Sequence, residues 1–383
     1  MFVLPGRTAL GYDIARDEVV EVAEYGGRAV RPVAAFMAPA YLQIARAAYD
    51  VLPGAPRLPL YSYTAVGWKR GRFYAAGMRI DRDERQDMRQ FDRKAIEHGA
   101  HDMLRRYRGN RLVRHLVDNC VLRYRCPAAR NFVMGRWECP VPTSRACNAA
   151  CLGCISKQPR KSGVVASHER ICFTPTVEEI VEFAVPHLEN ATRPVVSFGQ
   201  GCEGEPLLNS GLIEKAIRKI RRGTQRGIVN MNTNAGKPAA VERLCRAGLD
   251  SIRVSLNSAR PACYEAYYRP RGYSLDDVAE SMRIMRRHGR WVSLNYLVFP
   301  GFTDTRAELG ALRAMLDRCE VNMIQTRNLN IDPEWYMEEL GIGASRARPM
   351  GMRAWVEQLR EKYPNVRLGY FNPPDVSGRT KSR

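Results

Sequence analysis

Residues 147–154 read CNAACLGC, three cysteines separated by three and then by two residues. Thiolates so spaced share one short loop, which Gly153 helps to wrap, and a trio of thiolates can hold three irons of a [4Fe–4S] cube. A structural zinc site asks for four closed ligands. The loop supplies three, Cys147, Cys151 and Cys154, and the next histidine, His168, lies too far along to complete a local knuckle. The fourth iron of such a cube would be open to an outside ligand, and an open metal position marks a reacting centre rather than a structural one. The competing readings are three unrelated thiols, or a zinc knuckle completed from a distant part of the chain.

The other cysteines are less ordered. Cys120, Cys126 and Cys139 precede the loop at loose spacing, without a compact CxxC; they are candidates for an auxiliary cluster or are plain buried thiols. Cys172, Cys202, Cys245, Cys263 and Cys319 are scattered. An odd total of eleven, unevenly spaced, argues against a disulfide framework and for a reducing compartment, with the cytoplasm as the default. The N-terminus lacks a signal-peptide pattern, and no apolar run approaches the roughly 18–20 residues of a membrane span.

Elements that alternate in type surround the cysteine loop. From about residue 140, β-branched runs at 193–201, 227–235, 249–258, 290–301 and 321–330 are separated by amphipathic helical stretches, one of them opened by Ser274 as N-cap. With a strand before the cysteines this gives about six βα units, which join through right-handed crossovers into a parallel sheet. The expected fold class is α/β, a partial (β/α)6 TIM-like barrel over 140–332. An N-terminal α+β extension (1–139) precedes it and a C-terminal helical extension with a basic tail (333–383) follows. Within the N-terminal part, 60–80 reads as a β-hairpin turning near Lys69–Gly71, and 83–122 as mostly helix. In such barrels chemistry sits in the loops after the strands. The segments CNAACLGC, GCEGEP, TNAG, SLNS and PGFTD all fall at expected strand C-terminal ends.

These residues carry a resemblance. CNAACLGC matches the CxxxCxxC signature of the radical S-adenosylmethionine (radical SAM) superfamily, and further motifs follow in order over about 140–332. The resemblance implies that Cys147, Cys151 and Cys154 bind a [4Fe–4S] cluster whose unique iron takes S-adenosylmethionine. Reductive cleavage would then give a 5′-deoxyadenosyl radical that abstracts hydrogen from a substrate. Gly204, Glu205 and Pro206 resemble the family's GGEP motif at the methionyl ammonium. The first glycine of the pair is replaced, so that Glu203 and Glu205 both compete for the contact and motif register favours Glu205. Asn234 resembles the third-strand segment. Ser255 and Asn257, two apart and so on one face of a strand, resemble the fourth-strand residues near the ribose and carboxylate. The resemblance also implies a reductant such as flavodoxin or ferredoxin.

The substrate is open. Gln325 and Arg327 share a face at the last strand's end with Leu329, and Asn328 and Asn330 share the other, a substrate-facing wall or a hydrogen-bonded loop. Sixty Lys and Arg against forty Asp and Glu give a net charge of +20. Such a field attracts phosphate-bearing partners, or it reflects arginine spread over solvated faces. An RNA-modifying enzyme of the same superfamily is therefore an alternative, with Tyr61, Tyr63, Trp68, Lys69, Arg70 and Arg72 as the place for RNA contact. GEPLLN resembles methyltransferases of that kind, but no cysteine follows Cys319 to carry a methyl group. A non-catalytic iron–sulfur protein, for electron transfer or nucleic-acid binding, is the alternative from another class.

Overall fold

A computed structural model describes residues 1–343, 348–373 and 375–376. Seven parallel strands form its main sheet in the order of the chain: β1 (Glu138–Val141), β2 (Val195–Phe198), β3 (Ile228–Thr233), β4 (Ser251–Leu256), β5 (Trp291–Val298), β6 (Met323–Asn328) and β7 (Arg367–Gly369). The first six lie where the sequence placed strands. The seventh goes beyond the six expected units: its three residues pair with Met323–Gln325, too short a run to carry a pattern of its own. Neighbours in this order pair in parallel, and the sheet curls into a partial barrel whose edges are β1 and β7.

Helices return the chain between strands: α1 (Val177–Asn190), α2 (Ser210–Gly223), α3 (Pro238–Ala247), α4 (Pro261–Tyr268), α5 (Leu275–Arg287), α6 (Arg306–Cys319), α7 (Pro333–Glu339) and α8 (Met352–Lys362). Ser274 caps α5 as expected: it accepts from the Asp277 backbone N–H, and the Asp277 carboxylate accepts from the Ser274 backbone N–H in return. The outer face of the sheet is apolar and packs on these helices; on it Tyr296 of β5 stacks on Trp355 of α8, ring centroids 6.0 Å apart. The inner face is polar. Register brings Ser197 beside Asn230, Asn232 beside Arg253, Ser255 beside Asn295, and Asn295 in turn beside Gln325. Period-two alternation thus gives the barrel two unlike surfaces, one for packing and one for ligands.

Residues 1–79 form short antiparallel strands around a small core of Leu4, Ala34, Leu58 and Tyr63. They dock on the end of β6. Asn328 accepts from the Gln43 N–H and donates to the Tyr41 carbonyl, and buried Asp332 takes both Arg7 (3.3 Å) and the Leu58 N–H (2.6 Å). The expected hairpin is present, with Val66–Lys69 against Arg72–Ala75 and a two-residue turn at Arg70–Gly71. Its aromatic side chains do not pack on the barrel: Trp68 is 61% and Phe73 57% exposed.

The stretch read as helix over 83–122 begins as two single turns and becomes regular over Arg93–Arg106 and Arg111–His115. It continues as a π-helix over Leu116–Arg123, and Pro127–Val133 follows as a further helix. Most of the basic tail falls outside the described residues. Among the described residues no helix is long and apolar enough to cross a membrane.

Candidate functional site

The cysteine loop leaves β1 and is held from two sides. Behind it, Ala150 and Leu152 donate their N–H groups to the carbonyls of Tyr268 and Tyr267 at the end of α4, and Arg271 donates to the Asn148 carbonyl. Gly153 lets the loop lie close to this helix end, since a Cβ there would lie 2.7 Å from the Tyr267 hydroxyl and would push it aside. Gln158 folds back and donates to the carbonyls of Leu152 and Cys154.

On the other side the turn after β2 runs against the stem of the loop. Gly204 donates to the Ser144 carbonyl at 2.7 Å and Glu205 to the Ala146 carbonyl at 2.8 Å. A Cβ on Gly204 would sit 1.9 Å from the Ala146 oxygen, so only glycine permits the approach. Glu203 fastens the same contact. Buried, it accepts from the N–H groups of Thr143, Ser144 and Gln200 and from the Thr143 hydroxyl. Glu205 points the other way, accepting from the Thr233 hydroxyl, from Asn234 N–H at 2.8 Å and from Leu207 N–H at 3.0 Å. Burial pushes both carboxyls up to about 7. Glu205 also lies within the electrostatic reach of Cys147 and Cys151.

All three thiols line one cavity of about 380 Å³. Among the described residues its wall has no fourth cysteine and no His, Asp or Glu, but it carries five cationic side chains: Arg145, Lys157, Arg170, Arg269 and Arg271. Arg170 reaches Cys154 Sγ at 3.6 Å while bonding Ser156 Oγ. Burial raises the pKa of Cys147 and Cys151, and the neighbouring thiols raise Cys151 further. A metal that binds thiolates removes that penalty. The donor set fits a cluster held by three thiolates: soft ligands, an unfilled fourth position, and positive charge around an anionic centre.

Of the other residues singled out in the sequence, Gly204, Glu205 and Asn234 meet the cysteine loop or its stem, and Pro206 is buried just beyond them at the start of a single turn. Asn234 donates to Asn148 Oδ1 at 2.7 Å and accepts from Gly236 N–H, which ties the end of β3 to the loop. Ser255 is half-buried on the inner face of β4. Asn257 lies just past the strand and is fully buried, donating to the Cys263 carbonyl and the Tyr336 hydroxyl, with its Oδ1 unpartnered. On β6, Gln325 and Arg327 face inward, but Asn328 is taken up in docking the N-terminal strands.

The sequence reading passed over Arg170 and Arg253. Gln325 Oε1 accepts from both Arg253 (3.3 Å) and Arg327 (3.2 Å), so two guanidinium groups meet inside the barrel. Burial first and Arg327 second lower Arg253 to about 9, against the opposing pull of Glu138 and Tyr370, and Arg327 stacks 3.6 Å above the Tyr370 ring. The inward period of β4 was a usable signal for Arg253; Arg170 had none, since it joins the loop through tertiary packing.

Comparison with known proteins agrees in kind. The sequence profile of the Radical SAM superfamily matches residues 141–310. A GTP 3′,8-cyclase of Petrotoga mobilis is 27% identical over 42% of this chain and 47% of its own, and one of Streptomyces coelicolor is 28% identical over 35% and 39%. The chain thus spans less than half the length of these curated relatives. Among solved structures, SuiB of Streptococcus suis bound to S-adenosylmethionine is similar at 13% identity and a TM-score of 0.45, over 64% of this chain and 54% of that one.

Proposed function

The chain belongs to the radical SAM superfamily, and from that premise we propose that it is an enzyme that cleaves S-adenosylmethionine reductively and abstracts hydrogen from an anionic substrate bound inside the barrel. One observation carries the reading: three thiols and no fourth ligand in a cavity walled by cations and clamped to the GEP turn. When bound, a [4Fe–4S] cluster with the cofactor on its open iron supplies the one-electron cleavage that yields a 5′-deoxyadenosyl radical. The residues of the chain do the rest. Cys147, Cys151 and Cys154 would ligate the cluster. Gly204, Glu205 and Pro206 would hold the methionyl ammonium, with Asn234 fixing the loop. Ser255 and the free Oδ1 of Asn257 offer polar contacts on the β4 side.

Arg253 and Arg327 support an anionic substrate, because the two guanidiniums meet on one neutral amide inside the barrel, with Glu138 as the carboxylate acting on both, and an added anion would offset their mutual repulsion. GTP, named by the relatives, is one member of that class to try. A flavodoxin or ferredoxin would supply the electron, in a cytoplasm that keeps the thiols reduced. A methyl-carrying cysteine finds no support, as Cys319 is buried in α6. An RNA substrate has the exposed hairpin in its favour.

The test is anaerobic. Reconstituted protein should absorb as a [4Fe–4S] species and release 5′-deoxyadenosine on reduction with S-adenosylmethionine. Alanine at any one of Cys147, Cys151 or Cys154 should remove both. A full four-iron cluster in all three variants overturns the assignment.

A further inference from the structure

A second set of metal-type donors lies behind the GEP turn. The ligand atoms of His115, Cys120 and Cys202 all lie within 4.8 Å of one another, and no other group of three or more His, Cys, Asp or Glu does so among the described residues. Cys120 Sγ is 3.6 Å from Cys202 Sγ and 3.8 Å from His115 Nε2. Two sulfurs each about 2.3 Å from a tetrahedral zinc are about 3.8 Å apart, so these separations are already close to the edges of a coordination tetrahedron.

The backbone builds the triad. His115 and Cys120 are five residues apart, and an α-helix, at 100° per residue, would turn them about 140° away from each other. The chain there is a π-helix, Leu116–Arg123, with an i to i+5 bond from Tyr124 N–H to the Asn119 carbonyl. The wider turn sets the fifth residue over the first, and π segments of this kind recur at functional sites. Cys202 arrives from the turn after β2, where its carbonyl accepts from the Ile171 N–H. Both thiols are buried. His115 also borders a surface cavity of about 410 Å³, which puts a fourth position within reach of solvent.

We propose that His115, Cys120 and Cys202 form a site for a single thiolate-preferring divalent cation of the zinc type, separate from the Cys147–Cys151–Cys154 cavity. Two thiolates and one imidazole are a zinc donor set, and two thiols shed their protons as the ion enters. The ion would pin the π-helix to the turn that carries Glu203, Gly204 and Glu205. The cysteines upstream of the loop thereby divide: Cys120 belongs to this triad, and Cys139 lies buried in β1, outside it.

The experiment uses the full chain with Cys147, Cys151 and Cys154 all changed to alanine, so that no cluster competes and failure of the radical SAM reading is a separate result. The chelator-stripped protein, shown to be folded by circular dichroism, is titrated anaerobically with Zn²⁺ and with Co²⁺. About one equivalent of zinc should bind, cobalt should show thiolate charge-transfer and tetrahedral d–d bands, and thermal stability should rise. Adding Cys120→Ser, Cys202→Ser or His115→Ala should weaken uptake at least about tenfold. Should the triple variant not fold, zinc is counted in the anaerobically purified parent beside Cys202→Ser; about one chelator-resistant zinc per parent chain, lost in the variant, supports the site. Absence of the thiolate band in folded protein, uptake unchanged by the serine variants, or a Cys120–Cys202 disulfide recovered under anaerobic handling overturns it.

Discussion

Glu203 and Glu205 are two residues apart and have opposite jobs. Glu203 spends its carboxylate on four donors of its own fold, whereas Glu205 is the carboxyl near the cysteines. Burial sets the proton affinity of Glu205, raising it from 4.5 to about 7. The folded chain therefore keeps a proton that the unfolded chain releases. The stability it brings is fully present below 4.5 and is lost as pH rises through about 7. In cluster-free protein, stability should decline across that window by at most about 1.4 kcal/mol per pH unit for this group. Glu205→Gln should flatten the decline by that share, which urea melts across the window will read. An unchanged slope would place the proton elsewhere.

Local chemistry decides how well an element is built and where two of them meet. Ser274→Ala removes the reciprocal cap of α5 and should cost about 1 kcal/mol in a denaturant melt, with cluster content untouched. Gly204→Ala acts elsewhere: the added methyl meets the Ala146 oxygen, so the GEP turn must leave the cysteine loop. Iron uptake should collapse while the helical circular dichroism stays near that of the parent; normal iron content would show that the two loops do not need this contact.

Both places were legible in the sequence to different degrees. Ser274 and the first six strands announce themselves through local pattern, because a cap and a buried β-branched run each act within a few residues. The cysteine loop was legible because its chemistry is itself local. The triad of His115, Cys120 and Cys202 was not, since it depends on a π-turn that no periodicity announces and on a partner 82 residues away from Cys120. Nor was β7, whose register comes entirely from β6. Asn328 looked like a polar residue at a barrel mouth, and only the docked N-terminal strands reveal what it bonds.

For the molecule as a whole the question is where the +20 charge acts. Much of the arginine is engaged in ion pairs on helix surfaces, for instance Arg218 with Glu214 and Arg246 with Glu242. The hairpin differs, because Trp68 and Phe73 stand exposed beside Lys69, Arg70 and Arg72. Aromatics between cations suit stacking on unpaired bases. Charge reversal at Lys69, Arg70 and Arg72 should abolish salt-sensitive retention on RNA or heparin and leave the melting temperature nearly unchanged, since these side chains support no core. Retention equal to the parent's would make the charge a matter of composition and leave small anions as the substrates to pursue.

The bond between Arg7 and Asp332 spans 325 positions of the chain. Translation reaches those two residues far apart in time: at roughly 5–20 residues per second the interval is about 16–65 s. Throughout it the first strands have no β6 to dock on, and Leu58 N–H has no carboxylate to meet. Until then these strands have their own pairings and small core to hold them, and their contacts with Asn328 and Asp332 come only once β6 has been made.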